Sequence, residues 1–119
     1  MTLFKQIEKQ ETAARDFGFY WETIDQLLDQ IRSECTEVHE AHQKTDLLHL
    51  EEEIGDLIHA TICLAIFCKI APQKALHRAT NKIQKRFDKV FELAKKEGHK
   101  TLHGHSFDQL MYYWDQAKK

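Results

Sequence analysis

Apolar residues recur along this chain at intervals of three and four, the spacing that gathers them on one face of an α-helix. The clearest run is Ile24, Leu27, Leu28, Ile31, Cys35 and Val38, which predicts a helix from Thr23 to about Lys44. A first helix is expected over roughly residues 2 to 16, stopped by Gly18. A third is expected from Asp46, whose side chain suits an N-cap, to Ile70. Pro72 fits the first turn of a fourth, with Leu76, Ala79, Ile83, Phe87, Val90 and Ala94 as its core stripe and Gly98 as its stop. "HKTLHGHS" reads as a loop, and Ser106 caps a short last helix, "FDQLMYYWDQAKK". Strand alternation is hard to find, and one Pro and four Gly leave little punctuation. Short connections between long helices imply antiparallel neighbours, so the expected fold is an all-α antiparallel bundle of about five helices in one domain over residues 1–119.

The third helix departs from simple amphipathicity. "LEEEIGDLIHATICLAIF", residues 50–67, is apolar nearly all round after residue 57. Such a helix is buried on more than one side. In a chain of 119 residues a second protomer is the simplest cover, so a homodimer or higher homo-oligomer through this helix is expected.

Composition narrows the function classes. At 42% hydrophobic and 30% charged residues the chain is ordinary for a globular protein. A net charge of −2 argues against a general grip on nucleic acid. No segment is long and uncharged enough to span a membrane, and the start "MTLFKQIEKQ" lacks a signal-peptide core, so no membrane partner is expected. Cys35, Cys63 and Cys68 lack zinc-like spacing. Cys63 and Cys68 lie in the apolar run, which predicts buried free thiols and a cytoplasmic setting.

The acids carry the chemistry. Glu34 and Glu37 lie three apart on the second helix, and Glu53 and Asp56 three apart on the third, with fifteen residues between the pairs. Residues three apart share a helix face. Antiparallel packing about residue 45 lets the pairs face each other, and a divalent cation removes their mutual repulsion. Oxygen-only ligands favour a hard ion, Mg²⁺ or Mn²⁺. A solvated acidic face is the competing reading; Asp56 weighs against it, because it stands where such a face should have ended. Glu51 and Glu52 read as solvated, although both Glu52 and Glu53 flank Asp56 on the helix. Asp56-x-x-His59 also has the form of a di-iron ligand pair, but the second such element, Asp46-x-x-His49, falls on the same helix. His59 is then a helix-face or interface histidine.

These acids, the run "LEEEIGDLIHATICLA", and "KALHRATNKIQKRF" with Lys82 and Arg86, followed by Trp114 and Lys118, resemble the MazG nucleotide pyrophosphohydrolases of the all-α NTP pyrophosphatase group. The resemblance runs from "AARDFGFYWET" to the end and is greatest to the second half of two-domain MazG proteins. It implies Mg²⁺-dependent hydrolysis of nucleoside triphosphates to monophosphate and pyrophosphate, in nucleotide-pool housecleaning. It also implies Glu34, Glu37, Glu53 and Asp56 as the catalytic metal set, Lys82, Arg86 and Lys118 on the triphosphate, and Trp114 near the nucleotide. Ser33 stands where members often carry a further acid. The alternatives are a dUTPase-like or phosphoribosyl-ATP pyrophosphohydrolase relative, or a nucleotide-binding regulator with weak turnover. Lys85 and Lys89 read as plain surface charge, Trp21 as core packing, and His99, His103 and His105 receive no role.

Overall fold

The computed structural model describes residues 2–119, and among them it is all helix, with no strand. The helices are α1 (Leu3–Phe17), α2 (Ile24–Gln43), α3 (Leu47–Phe67), α4 (Pro72–Lys96) and α5 (Phe107–Ala117). Side chains fix most of the starts. Thr23 accepts a hydrogen bond from the Gln26 amide while the Gln26 side chain reaches back, and Ser106 and Gln109 repeat this reciprocal cap on α5. Asp46 accepts from the His49 amide and opens α3. At the end of α1, Gly18 takes φ 98°, a left-handed conformation that closes the helix at little cost for a residue without Cβ.

The chain divides into two compact units, the first ending at Ala75 and the second running Leu76–Lys119. In the first unit α3 packs on both α2 and α1. The turn at residues 44–46 reverses the chain, so α2 and α3 form an antiparallel hairpin. Leu27, Ala41, Ala60 and Cys63 are its buried centre. His59 bridges α3 to α1, its Nε2 lying 3.1 Å from Gln10 Oε1.

α3 ends at Phe67, three residues short of the expected Ile70. Cys68 is the C-cap and Lys69 turns back at φ 60°. The expectation of two buried thiols is corrected accordingly: all three cysteines are free, but only Cys63 is buried, and Cys68, beyond the helix, is exposed. Within the single chain Ile54 and Ile58 on α3 are 41% and 54% exposed. Ala60 and Cys63 on the same helix are buried, so the two sides of α3 differ in cover. Among the described residues no single helix is long and apolar enough to cross a membrane.

In the second unit α5 lies against the C-terminal half of α4. Trp114 packs on Phe87 with ring centroids 5.6 Å apart, and the Tyr113 hydroxyl donates to Glu97 just after α4. The expected core stripe of α4 is covered unevenly. Ala94 is buried, but Leu76 is 57% exposed and Phe87 45%. α5 has only 11 residues and shields one stretch of a 25-residue helix, so the periodicity marks an apolar face longer than its partner. In the loop between them His99 and His105 meet edge to face at 4.7 Å, and His105 Nδ1 lies 3.1 Å from the Leu102 carbonyl oxygen.

Burial, followed by the nearby Glu11 carboxylate, pushes the Cys63 thiol up to about 12, so it stays protonated and unreactive at neutral pH. A thiol-specific chromogenic reagent at pH 7.5 should titrate two cysteines of the native chain quickly and the third only after denaturant is added. Rapid labelling of all three in the native state would contradict this packing.

Candidate metal centre and cationic face

The hairpin positions the acids by symmetry about its turn. Glu37 and Glu53 each lie eight residues from Thr45, and Glu34 and Asp56 eleven. Antiparallel packing therefore sets each α2 acid opposite an α3 acid. The structure brings one oxygen each of Glu34, Glu37 and Glu53 within 4.8 Å of one another. Glu37 is exposed, while Glu34 and Glu53 are half-buried. Asp56 stays outside this close group; exposed, it shares with Glu34 the wall of an adjoining cavity of about 350 Å³. Packing also separates Glu53 from its neighbours, since Glu51 and Glu52 are both exposed.

Glu34 is hydrogen-bonded at one oxygen, Glu53 faces a histidine at one of its own, and each is bare at the other. Gln30 Nε2 donates to Glu34 Oε1 at 2.7 Å, and His49 Nε2 lies 3.7 Å from Glu53 Oε1. Glu34 Oε2 and Glu53 Oε2 are buried with no hydrogen-bond partner. A buried carboxylate oxygen without a donor is costly. Burial pushes the Glu53 carboxyl above its ordinary value, helped by a hydrogen bond shared with Glu37 and by the Glu37 charge; Asp56 adds to the rise and His49 opposes it. Crowded carboxylates that leave buried oxygens bare are what a hard divalent cation satisfies. The donor set, all oxygen, fits Mg²⁺ or Mn²⁺.

Three side chains around the acids, Gln30, His49 and Trp21, were not placed beside them from sequence. Gln30, one turn before Glu34, and His49, one turn before Glu53, stood at the i, i+4 spacing that brings helix side chains together. Trp21, expected in the core, is half-buried and lines the same cavity as Glu34 and Asp56. The histidines do not make a di-iron pattern: His59 is engaged with Gln10 and with Cys63 Sγ at 3.5 Å, and Asp46 is occupied as the α3 cap.

The basic residues gather in the second unit. Lys82, Arg86 and Lys118 line one cavity of about 420 Å³ on α4 and α5, together with Arg78, Lys85 and Lys89. Arg86 holds its guanidinium carbon 5.7 Å from the centre of the Trp114 ring, a cation–π contact that fixes both side chains. Trp114 is half-buried, with Phe87 also packed against its ring.

Comparison with known proteins identifies the family. Residues 22–91 match the model of the MazG nucleotide pyrophosphohydrolase domain, which takes in all four acids, Lys82 and Arg86. The chain is 37% identical over 109 residues to the nucleoside triphosphate pyrophosphohydrolase/pyrophosphatase MazG of Thermotoga maritima, covering 92% of this chain and 41% of that protein. It is 32% identical over 114 residues to the nucleoside triphosphate pyrophosphohydrolase of Escherichia coli K12, covering 94% of this chain and 43% of that one. The chain belongs to the MazG nucleotide pyrophosphohydrolase domain family. It spans about two-fifths of the length of these two relatives.

The raised Glu53 pKa has a direct stability consequence. An acid that binds its proton more tightly when folded makes the fold less stable as pH rises from its unfolded pKa through the folded one, and the loss persists at neutral pH. Glu53→Gln should therefore raise the Tm of metal-free protein at pH 8 and gain nothing at pH 4. Millimolar Mg²⁺ should raise the wild-type Tm and leave that of the variant unchanged. A variant that melts below wild type in chelator at pH 8 would show that the three acids do not repel.

Proposed function

We propose that this chain hydrolyses nucleoside triphosphates to a nucleoside monophosphate and pyrophosphate, with Mg²⁺ or Mn²⁺, and that residues 1–119 act as one functional domain. The observation that carries the reading is the trio of Glu34, Glu37 and Glu53, with two buried oxygens that no protein donor satisfies. The cation-lined cavity of Lys82, Arg86 and Lys118 supports it, and assigning both groups to one substrate follows the family resemblance. The expected setting is the cytoplasm, with noncanonical or excess nucleotides as substrates.

Glu34, Glu37 and Glu53 would hold the cation, with Asp56 on the adjoining cavity wall as the fourth acid of the set. A bound divalent cation would supply charge neutralisation at phosphate and a water of lowered pKa. The remaining work belongs to the chain's own groups. Lys82 and Lys118 bind the β- and γ-phosphates as compact point charges. Arg86 offers a planar fork to phosphate oxygens, held in orientation by the Trp114 ring. Charge on the departing pyrophosphate grows towards the transition state, so these cations stabilise the transition state more than the bound substrate. Gln30 and His49 orient Glu34 and Glu53 by their second oxygens.

Attack at the α-phosphorus makes a definite isotope prediction. In ¹⁸O-labelled water the label should enter the nucleoside monophosphate alone, and no orthophosphate should form. Label in pyrophosphate would place attack at the β-phosphorus, and orthophosphate release would reject the proposed reaction. Arg86→Ala should lower kcat by about a hundredfold and change KM much less, the pattern of a contact strengthened in the transition state.

Assembly follows from the open side of α3. Ile54 and Ile58 lie one turn apart and exposed, and a second copy would cover them. Sedimentation at micromolar concentration should report a dimer or larger. Ile58→Glu should dissociate it, because a charge there would be buried without a partner. A wild-type monomer would contradict the proposed assembly.

A further inference from the structure

The proposed reaction uses Lys82, Arg86 and Lys118, yet their cavity has twice as many cations. Arg78, Lys85 and Lys89 complete its wall, and no carboxylate lines it. Arg78, Lys82, Lys85, Arg86 and Lys89 fall on one face of α4 by helical periodicity. From Arg78 to Lys89 this stripe is about 16 Å long at 1.5 Å per residue. Like charges one turn apart destabilise a helix, and here they recur at 78 and 82, 82 and 86, and 85 and 89. Elsewhere the chain pairs such charges: Lys5 meets Glu8 at 3.4 Å and Arg32 meets Asp29 at 2.7 Å. On α4 the nearby acid Asp88 instead accepts from Gln84 at 3.0 Å, and Glu92 lies beyond the end of the stripe. Charge is segregated on the larger scale too. Residues 76–119 carry ten Lys and Arg against five Asp and Glu, and residues 1–75 carry seven against fourteen.

We infer that the cationic face of α4 binds linear inorganic oligophosphate longer than a triphosphate. Lys82 and Arg86 stand one turn apart and match a short phosphate chain. Arg78 extends the row towards one end of the helix and Lys89 towards the other, with Lys85 beside Arg86 within it. A longer chain of closely spaced phosphates meets further cations at successive turns, each neutralising charge and releasing counterions. The geometry favours a bare phosphate chain over a single-stranded nucleic acid. Nucleic acid needs aromatic faces on which bases stack, and no aromatic side chain lines this cavity. This binding stands on the cation row and does not depend on the proposed catalysis.

The test is calorimetric titration of the full chain at low salt in chelator, so that phosphate chains cannot act by withdrawing metal. The probes are pyrophosphate, tripolyphosphate and a linear inorganic polyphosphate several times longer. Affinity per chain should rise with each step in length. Lys85→Gln with Lys89→Gln should weaken the longest probe by about tenfold and pyrophosphate little. Lys95→Gln with Lys96→Gln, which removes the same charge from outside the cavity, should bind all three probes as wild type does. All four lysines are exposed, and unchanged melting curves confirm that the variants fold. Equal affinity for tripolyphosphate and the longer chain would overturn the inference. So would equal losses in the two double variants, which would mean diffuse charge only. Equally tight binding of a single-stranded oligonucleotide of matched phosphate number would replace it with a nucleic-acid surface. Nucleoside triphosphate turnover, measured in parallel with Mg²⁺, should be unchanged in Lys95→Gln with Lys96→Gln. Its absence from wild type would defeat the catalytic reading while leaving the length dependence intact.

Discussion

Repulsion between carboxylates on facing helices is the constraint around which the first unit is arranged. Glu34, Glu37 and Glu53 can crowd together only because α2 and α3 are clamped by packing on either side of them. Leu27 and Ala41 are buried on α2, one on each side of the acids in sequence, and Ala60 and Cys63 are buried on α3. The hydrophobic contacts are non-directional and hold the helices close whatever the acids do. The electrostatic cost is thus imposed by the fold rather than relieved by it. A preformed cluster of this kind favours a cation more strongly than flexible acids would, because little reorganisation is needed on binding.

The polar partners of the trio sharpen that bias. Gln30 donates to one oxygen of Glu34 and His49 faces one oxygen of Glu53, while the other oxygen of each is buried without a donor. Fixing one oxygen orients the second, the usual division of labour between a ligand and the group behind it. The second unit solves the opposite problem. There the cations of α4 are gathered at one cavity, and Arg86 is steadied by an aromatic ring rather than by a carboxylate. A neutral partner keeps the guanidinium charge available for an anion, which an ion pair would have spent.

Much of this was legible in the sequence because it rests on local rules. Thr23, Asp46 and Ser106 announce their helices as caps, and each does cap one. The equal offsets of the acid pairs from the turn predicted their approach once antiparallel packing was assumed. Features set by tertiary contact were not legible. Glu52 and Glu53 flank Asp56 almost equally, and only the packing of α3 on α2 selects Glu53. Asp56 was expected among the clustered acids but stays at the cavity wall, a position its helical spacing alone does not distinguish. Cys68 looked buried because the apolar run continues past it, whereas α3 ends at Phe67 and leaves it exposed. The α4 stripe has the periodicity of a core face, but the residues that would cover Leu76 are not supplied by the short α5.

The central claim is that the acids of the α2–α3 hairpin form a divalent cation site. Crystals grown with Mn²⁺ and measured at its absorption edge test it most directly, since the anomalous signal locates the ion without reference to activity. The account predicts an anomalous peak in direct contact with oxygens of Glu34, Glu37 and Glu53, including the two that lack a protein donor. Saturating Mn²⁺ with no peak among these three residues, and ordered waters hydrogen-bonded to the bare oxygens instead, would contradict it.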